Sequence, residues 1–268
     1  MRDEYIYVAG WKDLSLVDVI EATSFTVWMN FCNFNCPWCS NAHVAKGLEK
    51  KKIRIIELYE KVREASDFID YFHVTGGEPT LQPKALYKIF KMIYDNLDLP
   101  NSLDTNGSNP EYYSKVVNMI KHVAIDIKAP FSKPWLYAKS IGLNIRAVNF
   151  FIPRIKKSLD ISLDVDFFEL RTTLVPNIIG EEETLMIARD LLPIVNRGKK
   201  RIVFVIQQFI PYSNIASEEY RNTSRTPPDL VIDIAKKVAE ILPVEVYHRT
   251  LEYGTKKCKV TFSKVRHT

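Results

Sequence analysis

The 268-residue chain has little cysteine, little glutamine and no long apolar run. Three of its four cysteines fall between positions 32 and 39, which argues against a secreted protein that several disulfides hold together. No apolar stretch is long enough to span a bilayer, and the start Met1-Arg2-Asp3-Glu4 lacks the features of a signal peptide. We therefore expect a protein without a membrane segment that works in the reducing cytoplasm.

A strong charge of one sign is also absent. The chain carries 37 basic and 32 acidic residues, a net charge of +5, which does not indicate nucleic acid as a partner. Hydrophobic residues make up 46% of the chain, which is enough for a large core, and 268 residues suit one α/β barrel-like domain or two small domains. The scarcity of glutamine beside frequent lysine, glutamate and isoleucine is typical of proteins from hot environments.

What is present is a tight cysteine motif, Cys32, Cys36 and Cys39, in C-x3-C-x2-C spacing. Thiolates this close together favour zinc or an iron–sulfur cluster. Both kinds of site usually have four protein ligands, and Cys258 is remote. If Cys258 does not join the site, one metal position stays open for a substrate or cofactor. Two other interpretations stay open on these residues: a Cys3His zinc site completed by His43, and buried cysteines that act as small apolar residues.

The motif resembles that of the radical S-adenosylmethionine (SAM) superfamily, in which three cysteines hold a 4Fe–4S cluster and SAM occupies the open iron. Trp38 stands where that family usually has an aromatic residue, just before the third cysteine. One strand and helix later, Gly76-Gly77-Glu78-Pro79 matches the family's second motif, whose backbone contacts the SAM amino group. The resemblance implies a cofactor-binding role for Trp38, Gly76, Gly77 and Glu78. For the two glycines alone, a plain strand–helix turn is the alternative.

Alternating strand and helix patterns run through the chain. Strands are predicted at Ser24–Met29, Ile69–Thr75, Ser102–Thr105, His122–Lys128, Phe167–Val175 and Arg201–Ile210, with short ones at Val244–His248 and Lys259–Phe262. Helices are predicted at Ile53–Ser66, Pro83–Asn96, Glu181–Val195 and Pro228–Ile241, and one or two more within 131–160. The alternation predicts an α/β fold with a parallel sheet, and six strand–helix units are too few for a closed eight-stranded barrel.

The resemblance implies the open partial (βα)6 TIM-like barrel of radical SAM enzymes. Because no linker or repeat is visible, we expect a single radical SAM domain over residues 1–268. It begins with an N-terminal segment, residues 1–22, that we interpret as an edge strand leading into the domain. It ends with a C-terminal extension of helix and strands, residues 214–268.

Two further strings are similar to those of glycyl-radical-enzyme activases such as the pyruvate formate-lyase activating enzyme. Asp104-Thr105-Asn106-Gly107 follows the third strand, and Asp126-Ile127-Lys128 ends the fourth. The similarity implies that Asp104, Thr105 and Asp126 hold a monovalent cation, and that Asp104, Asn106 and Lys128 lie near SAM. Oxygen ligands suit a hard cation, and a lysine can pair with a carboxylate as a point charge. The alternatives are an Asn-Gly turn and a strand-end ion pair between Asp126 and Lys128.

Arg171 in the fifth strand is another candidate cofactor residue. Activases have an arginine at the matching place, near the SAM ribose and carboxylate, and the guanidinium fork can bind both oxygens of a carboxylate. A salt bridge at the barrel rim with Glu169 or Asp166 explains Arg171 equally well.

Two positions depart from the activase pattern. Ser213 follows Pro211-Tyr212 where many activases have histidine near SAM, and Phe31 stands where they usually have glycine before the first cysteine. The stretch Leu14–Asp18 and the string Gln207-Gln208-Phe209 are closer to the anaerobic ribonucleotide reductase activase-like branch.

The resemblance implies an enzyme that reductively cleaves SAM at a 4Fe–4S cluster, giving a 5′-deoxyadenosyl radical for hydrogen abstraction. We expect a monomeric activase that acts on a glycyl radical enzyme partner, with ferredoxin or flavodoxin as the reductant and Cys258 as a structural or free thiol. The alternatives are radical modification of a small molecule, lipid or nucleoside, and a non-catalytic Cys3His zinc-binding module.

Overall fold

Within residues 4–258, which the computed structural model describes, ten strands form one sheet. The strands are β1 (Tyr5–Ser15), β2 (Ser24–Met29), β3 (Lys51–Arg54), β4 (Tyr71–Gly76), β5 (Asn101–Thr105), β6 (Ile120–Asp126), β7 (Phe167–Leu174), β8 (Arg201–Gln208), β9 (Glu245–Thr250) and β10 (Gly254–Lys257). Their order across the sheet is β10-β9-β8-β7-β6-β5-β4-β2-β1-β3.

Seven of these strands, β2 and β4 to β9, are parallel to one another, and helices connect them. The helices are α1 (Ala42–Ala45), α2 (Ile55–Ala65), α3 (Pro83–Asn96), α4 (Pro110–Tyr113), α5 (Pro134–Ile141), α6 (Ile145–Ser162), α7 (Glu181–Val195), α8 (Glu218–Arg221) and α9 (Pro228–Ala239). The two ends of the described sheet, β3 and β10, do not pair with each other, so the sheet is not closed. The predicted α/β class and open partial barrel are therefore confirmed.

The structure differs from the predicted elements mainly at the edges of the sheet. β1 is not the edge strand, because Lys51–Arg54, predicted as loop and helix start, forms β3 and pairs antiparallel with it. Glu245–Thr250 joins the parallel sheet as a seventh strand beside β8. Residues 131–160 hold two helices, and Pro153 lies inside the second instead of ending it. The predicted strand Lys259–Phe262 lies outside the described residues.

The two faces of the parallel strands carry different side chains. On β4, Phe72 and Val74 are fully buried in the main core against the helices, whereas the alternate residue His73 faces the barrel interior. Inside the barrel a second, smaller apolar group includes Val19 and Ile20 from the segment that follows β1. The N-terminal segment therefore fills part of the interior. None of the helices within residues 4–258 combines the length and apolar content that a membrane crossing needs.

In the barrel interior, below the ends of the strands, polar side chains contact one another in a closed ring. Ser102 on β5 contacts two histidine rings at 2.7 Å each, and each ring points its other nitrogen at a carboxylate. Arg171 completes the closed ring because it contacts both of those carboxylates, at 2.5 and 2.7 Å. The six members of this polar ring are His73, Ser102, Asp104, His122, Glu169 and Arg171.

Glu169 is the most enclosed anion of the polar ring. It is fully buried and pairs with Arg171 at 2.5 Å and with Arg249 at 3.2 Å. Burial has the largest single effect and would raise the pKa of the Glu169 carboxyl, but Arg171, His122 and Arg249 together outweigh it and lower the pKa to about 2. A carboxylate whose folded pKa is depressed stabilises the fold fully above its ordinary pKa of 4.5, and this stabilisation is lost as the pH falls toward 2.

We expect Glu169→Gln to lower the free energy of unfolding at pH 7 by about 3 kcal/mol, because the change leaves the buried Arg171 and the partly buried Arg249 short of an anion. The variant should also lose less stability than the wild type between pH 5 and pH 3. Urea unfolding at the two pH values measures both effects. The exposed Glu64→Gln on α2 is the matched control and should behave as wild type. Equal stability of the two variants at pH 7 would contradict a stabilising polar ring.

Candidate functional site

The cysteine loop leaves the carboxyl end of β2, where α/β barrels place their chemistry. Cys32, Cys36 and Cys39 all line one cavity of about 920 Å³. The Cys39 amide donates to the Cys36 carbonyl at 3.1 Å, which makes a tight turn between those two ligands. The Cys32 amide donates to the Ala45 carbonyl at the end of α1, at 3.0 Å. These two hydrogen bonds hold the cysteine loop in place, and its three thiols line the same cavity.

The surroundings of the thiols suit an iron–sulfur cluster. The Phe34 amide lies 3.4 Å and the Asn106 side-chain amide 3.9 Å from the Cys32 sulfur, and hydrogen bonds to sulfur are a usual feature of such clusters. Burial raises the pKa of Cys32 to about 12 and that of Cys36 to about 11. These thiols would have to lose their protons on binding a metal centre.

The zinc alternative fits this geometry poorly. Within residues 4–258, no three His, Cys, Asp or Glu side chains converge on a point that one metal ion could occupy. Zinc thiolates all bind one ion at about 2.3 Å, whereas each cysteine of a 4Fe–4S cluster binds its own iron atom. His43 does not line the cavity and instead lies 3.9 Å from Glu49. Cys258 is also outside the cavity, where its amide donates to the Val246 carbonyl.

Gly76 and Gly77 allow the backbone at the end of β4 to approach the backbone of the cysteine loop closely. A Cβ on Gly77 would lie 2.1 Å from the Phe31 carbonyl oxygen, and one on Gly76 would lie 2.3 Å from the Met29 carbonyl oxygen. The Gly77 amide donates to Met29 at 2.9 Å and the Glu78 amide to Phe31 at 2.7 Å. Gly76 also has φ of +122°, which favours glycine. Both glycines line the cavity beside the cysteines.

A third glycine also approaches the backbone of the cysteine loop closely. Gly142, just after α5, has φ of +64°, and a Cβ there would lie 2.0 Å from the Asn35 carbonyl oxygen. The Asn35 amide donates to the Ile141 carbonyl at 2.9 Å. The middle of the cysteine loop is therefore pressed against the end of α5.

Glu78 does not reach the cavity surface, unlike the glycines before it. Its side chain is fully buried, with one carboxylate oxygen accepting from Thr80 and Thr105 and the other accepting from the Asn106 amide at 2.7 Å. Burial raises the pKa of the Glu78 carboxyl, against the effect of these hydrogen bonds. The carboxylate joins the turn after β4 to the turn after β5 and so positions both turns, and its cofactor contact stays a prediction.

Asp104 and Arg171, at the carboxyl ends of β5 and β7, meet at the edge of the cavity. Arg171 donates from its other end-nitrogen to the Asp18 carbonyl at 3.1 Å. Burial would raise the pKa of Asp104, but the Arg171 guanidinium holds it well below its usual range. Arg171 forms a salt bridge with Glu169, as the alternative interpretation of this residue stated. It also forms a second salt bridge, with Asp104. The second oxygen of Asp104, Oδ1, accepts no hydrogen bond from any residue between 4 and 258.

Asp126 and Lys128 form the expected ion pair, at 2.8 Å, and both line the cavity. Burial lowers the pKa of Lys128, yet Asp126 and the neighbouring Cys36 outweigh it and raise the pKa above its ordinary value. Lys128 therefore stays cationic beside the cysteines. Trp38 lines the same cavity and packs edge-on against Tyr220 of α8, with ring centroids 5.5 Å apart.

Three cavity residues were missed by the sequence reasoning. Arg249 on β9 donates to Thr255 at 2.9 Å and to Glu169 at 3.2 Å. Asp18 accepts from Thr26 at 2.6 Å, and Gln207 faces Thr173 at 3.4 Å. Alternation along β8 and β9 was the one signal that could have placed Gln207 and Arg249 on the inner face.

The two departures from the activase pattern have different structural settings. Ser213 is exposed and does not line the cavity, although its neighbour Tyr212 does. Phe31 has φ of +77°, a left-handed conformation that is disfavoured for every residue with a Cβ. Glycine adopts this conformation without strain. The Phe31 ring packs edge-on with Tyr7 at 6.0 Å and lies over Gly47.

The chain matches the family model of the Radical SAM superfamily over residues 26–191. A protein of Methanocaldococcus jannaschii, provisionally named a glycyl-radical enzyme activating enzyme, is 29% identical over 256 residues, 91% of this chain and 98% of the relative. An S-adenosylmethionine-dependent nucleotide dehydratase of a Fibrobacter species is 30% identical over 106 residues, 36% of this chain and 30% of the relative.

Streptococcus suis SuiB, in its crystal structure bound to S-adenosylmethionine, has a similar fold. The TM-score is 0.63 at 11% identity, and the match covers 82% of this chain and 48% of SuiB. The chain thus spans almost the full length of the Methanocaldococcus relative and less than half of the solved protein.

We expect Phe31→Gly to be more stable than Phe31→Ala by about 1 kcal/mol, because both lose the ring but only glycine adopts φ of +77° without strain. Urea unfolding of the two variants measures the difference. Phe150, exposed within α6, supplies the matched control pair. There alanine should be the more stable by a similar amount, because glycine weakens a helix. The same order at both positions would contradict backbone strain at Phe31.

Proposed function

Because the chain belongs to the radical SAM superfamily, whose members use a 4Fe–4S cluster and SAM, we propose that Cys32, Cys36 and Cys39 hold the cluster and that the adjoining cavity binds SAM. This assignment is supported by one observation. The three thiols, the Gly76–Gly77 backbone and Lys128 all line the same cavity, whereas Cys258 lies outside it. The bound cluster and SAM supply a one-electron cleavage that gives methionine and a 5′-deoxyadenosyl radical, which takes a hydrogen atom from the substrate.

The remaining cavity residues would bind and orient SAM. We assign the Gly76–Gly77 backbone to its amino group, since that backbone lies directly against the cysteine loop. Lys128 and Arg171 are the cations near the expected place of the SAM carboxylate and ribose, and Lys128 is the better placed because it lies beside Cys36. Trp38 and Asn106 would complete the walls of the SAM site around the cluster.

The monovalent cation is proposed at Asp104, Thr105 and Asp126. Asp104 supports it best, because its Oδ1 has no hydrogen-bond donor within residues 4–258 and a carboxylate oxygen suits a hard cation. The Thr105 hydroxyl is already used, since it donates to Glu78 at 2.8 Å and accepts from the Gly107 amide at 3.1 Å. Thr105 would therefore contribute its carbonyl oxygen.

As substrate we propose a glycyl radical enzyme, on which the protein would act as activase. Support comes from the near full-length similarity to the Methanocaldococcus relative and its name. The cavity rim also has exposed apolar side chains, Tyr212 and Leu251, that a protein segment could cover. Ferredoxin or flavodoxin is proposed as the reductant. A single domain is proposed because one sheet joins residues from β1 to β10. A monomer is proposed as well.

The second candidate function is radical modification of a small molecule such as a nucleotide. The local similarity to the nucleotide dehydratase favours it, although that match covers only 36% of this chain. Arg249 and Gln207 would give such a substrate polar groups at the far side of the cavity from the cysteines.

We expect Cys36→Ser to abolish cluster assembly and Cys258→Ser to leave it intact, because only the first sulfur lines the cavity. Each variant is reconstituted anaerobically with iron and sulfide, reduced with dithionite and mixed with SAM. Iron content and 5′-deoxyadenosine are then measured. The wild type and Cys258→Ser should form 5′-deoxyadenosine at similar rates. Loss of the cluster in Cys258→Ser would mean that the fourth position is not open to SAM.

The two candidate substrates are separated by electron paramagnetic resonance. With SAM, a reductant and a glycyl radical enzyme of the same organism, the activase should produce a protein-borne radical on that enzyme. The Cys36→Ser variant supplies the matched negative control. If no such radical forms, and 5′-deoxyadenosine release instead rises on adding a nucleotide, the activase assignment is wrong and the second candidate stands.

A further inference from the structure

A group of exposed lysines follows the cysteine loop directly. Lys46, Lys50, Lys51 and Lys52, here called the lysine patch, all lie on the surface between α1 and the start of β3. In their midst is Leu48, a large apolar side chain that is 73% exposed. Positive charge around an exposed apolar residue is typical of a surface that contacts an acidic protein.

The lysine patch is electrostatically uncompensated within residues 4–258. None of its four ammonium groups lies within 4.0 Å of a carboxylate of the described residues, whereas exposed lysines such as Lys91, Lys121 and Lys237 have such a partner. The nearby acidic residues are engaged elsewhere, Glu49 with His43 and Glu57 with Arg54. Lys50 and Lys52 instead lie over aromatic rings, with Lys52 at 4.1 Å from the Tyr5 ring.

The patch is joined to the cysteine loop by short contacts. Phe31 and Cys32 donate their amides to Val44 and Ala45, the two residues that precede Lys46. The Phe31 ring lies 5.8 Å from the Lys50 ammonium and forms the wall between that lysine and the first cysteine. Lys46 itself lines the cavity on the cysteine side. The lysine patch therefore starts at the cavity lining, at Lys46, and continues over the surface next to the cysteine loop.

Protection of a sheet edge explains only part of the patch. β3 is an edge strand, and lysines there discourage pairing with another chain, which accounts for Lys51 and Lys52. Lys46 and Lys50 lie before the strand, and the exposed Leu48 would favour association instead of preventing it. A docking role accounts for all five residues together.

We propose that the lysine patch docks an acidic one-electron carrier protein, which delivers its electron through the Phe31–Cys32 side of the loop. The inference rests on the proposed function, because SAM cleavage consumes an electron that neither SAM nor the substrate supplies. SAM and substrate would fill the cavity, so the carrier approaches the cysteine loop from its outer side. The reduced carrier loses one electron and the cluster gains it; no covalent bond forms or breaks and no proton moves.

The test uses the full chain reconstituted with its cluster and the triple variant Lys50→Glu/Lys51→Glu/Lys52→Glu. Lys46 is left unchanged because it also lines the cavity. The triple variant Lys115→Glu/Lys157→Glu/Lys199→Glu has the same change of charge at exposed lysines outside the patch. An acidic ferredoxin and a flavodoxin serve as probes. Titration calorimetry gives their Kd values, and stopped-flow absorbance gives the rate at which each reduced carrier reduces the cluster.

We expect the patch variant to be reduced by at least one carrier about tenfold more slowly or worse at low ionic strength, with a matching loss of affinity. The gap should close as salt is raised, because screening removes the attraction. The control variant should stay within about twofold of the wild type. Dithionite, a small anion that needs no docking, should reduce all three proteins completely, and at similar rates once salt screens the charges.

Several outcomes would overturn the proposal. Unchanged Kd values and rates in the patch variant would do so, as would an equal loss in the control variant, which would indicate net charge alone. Weaker binding of the glycyl radical enzyme with normal carrier affinity would assign the patch to the substrate protein. If dithionite and SAM give no 5′-deoxyadenosine with any variant, the proposed function fails, while the carrier affinities still decide the patch.

Discussion

The backbone contact between the cysteine loop and the two glycines after β4 is the constraint on which the site depends. With no Cβ at either position, the chain after β4 reaches the Met29 and Phe31 carbonyls and hydrogen-bonds to them. Glu78 then extends the contact to the turn after β5 through its buried carboxylate. Three loops from three neighbouring strands thus form one rigid unit. The motif glycines therefore have a structural task here in addition to any contact with a cofactor.

Beneath that unit, the barrel interior is polar where most barrel cores are packed with aliphatic side chains. The polar ring holds two carboxylates and one arginine around a serine and two histidines, and Arg249 adds a second cation. Burial lowers the pKa of His122, which favours the neutral form of its ring. Asp104 and Arg171 are consequently fixed in direction at the cavity edge. Their arrangement is a structural ion pair at the edge of the cavity.

Much of this architecture could be predicted from the sequence. The six principal strands follow from β-branched and aromatic runs, and the cysteine spacing with Gly-Gly-Glu-Pro indicated the family that the full comparison supports. The inward turn of Glu78 and the second partner of Arg171 could not be predicted. Each depends on which residues of distant strands become neighbours, and local composition does not determine that register. The short edge strand β3 was missed because its lysines are typical of a solvated loop.

The clamp on the cysteine loop has a consequence for how the protein matures. The loop is held by Gly77, by Gly142 and, through Trp38, by Tyr220 of α8. During synthesis the cysteines leave the ribosome roughly 100 residues before Gly142 and still earlier than Tyr220. The three thiols therefore acquire their final spacing only when most of the barrel has been made. Iron and sulfide delivered to the nascent chain would encounter a cysteine loop that has not yet folded. We therefore expect the cluster to be inserted after the whole polypeptide has been released and has folded.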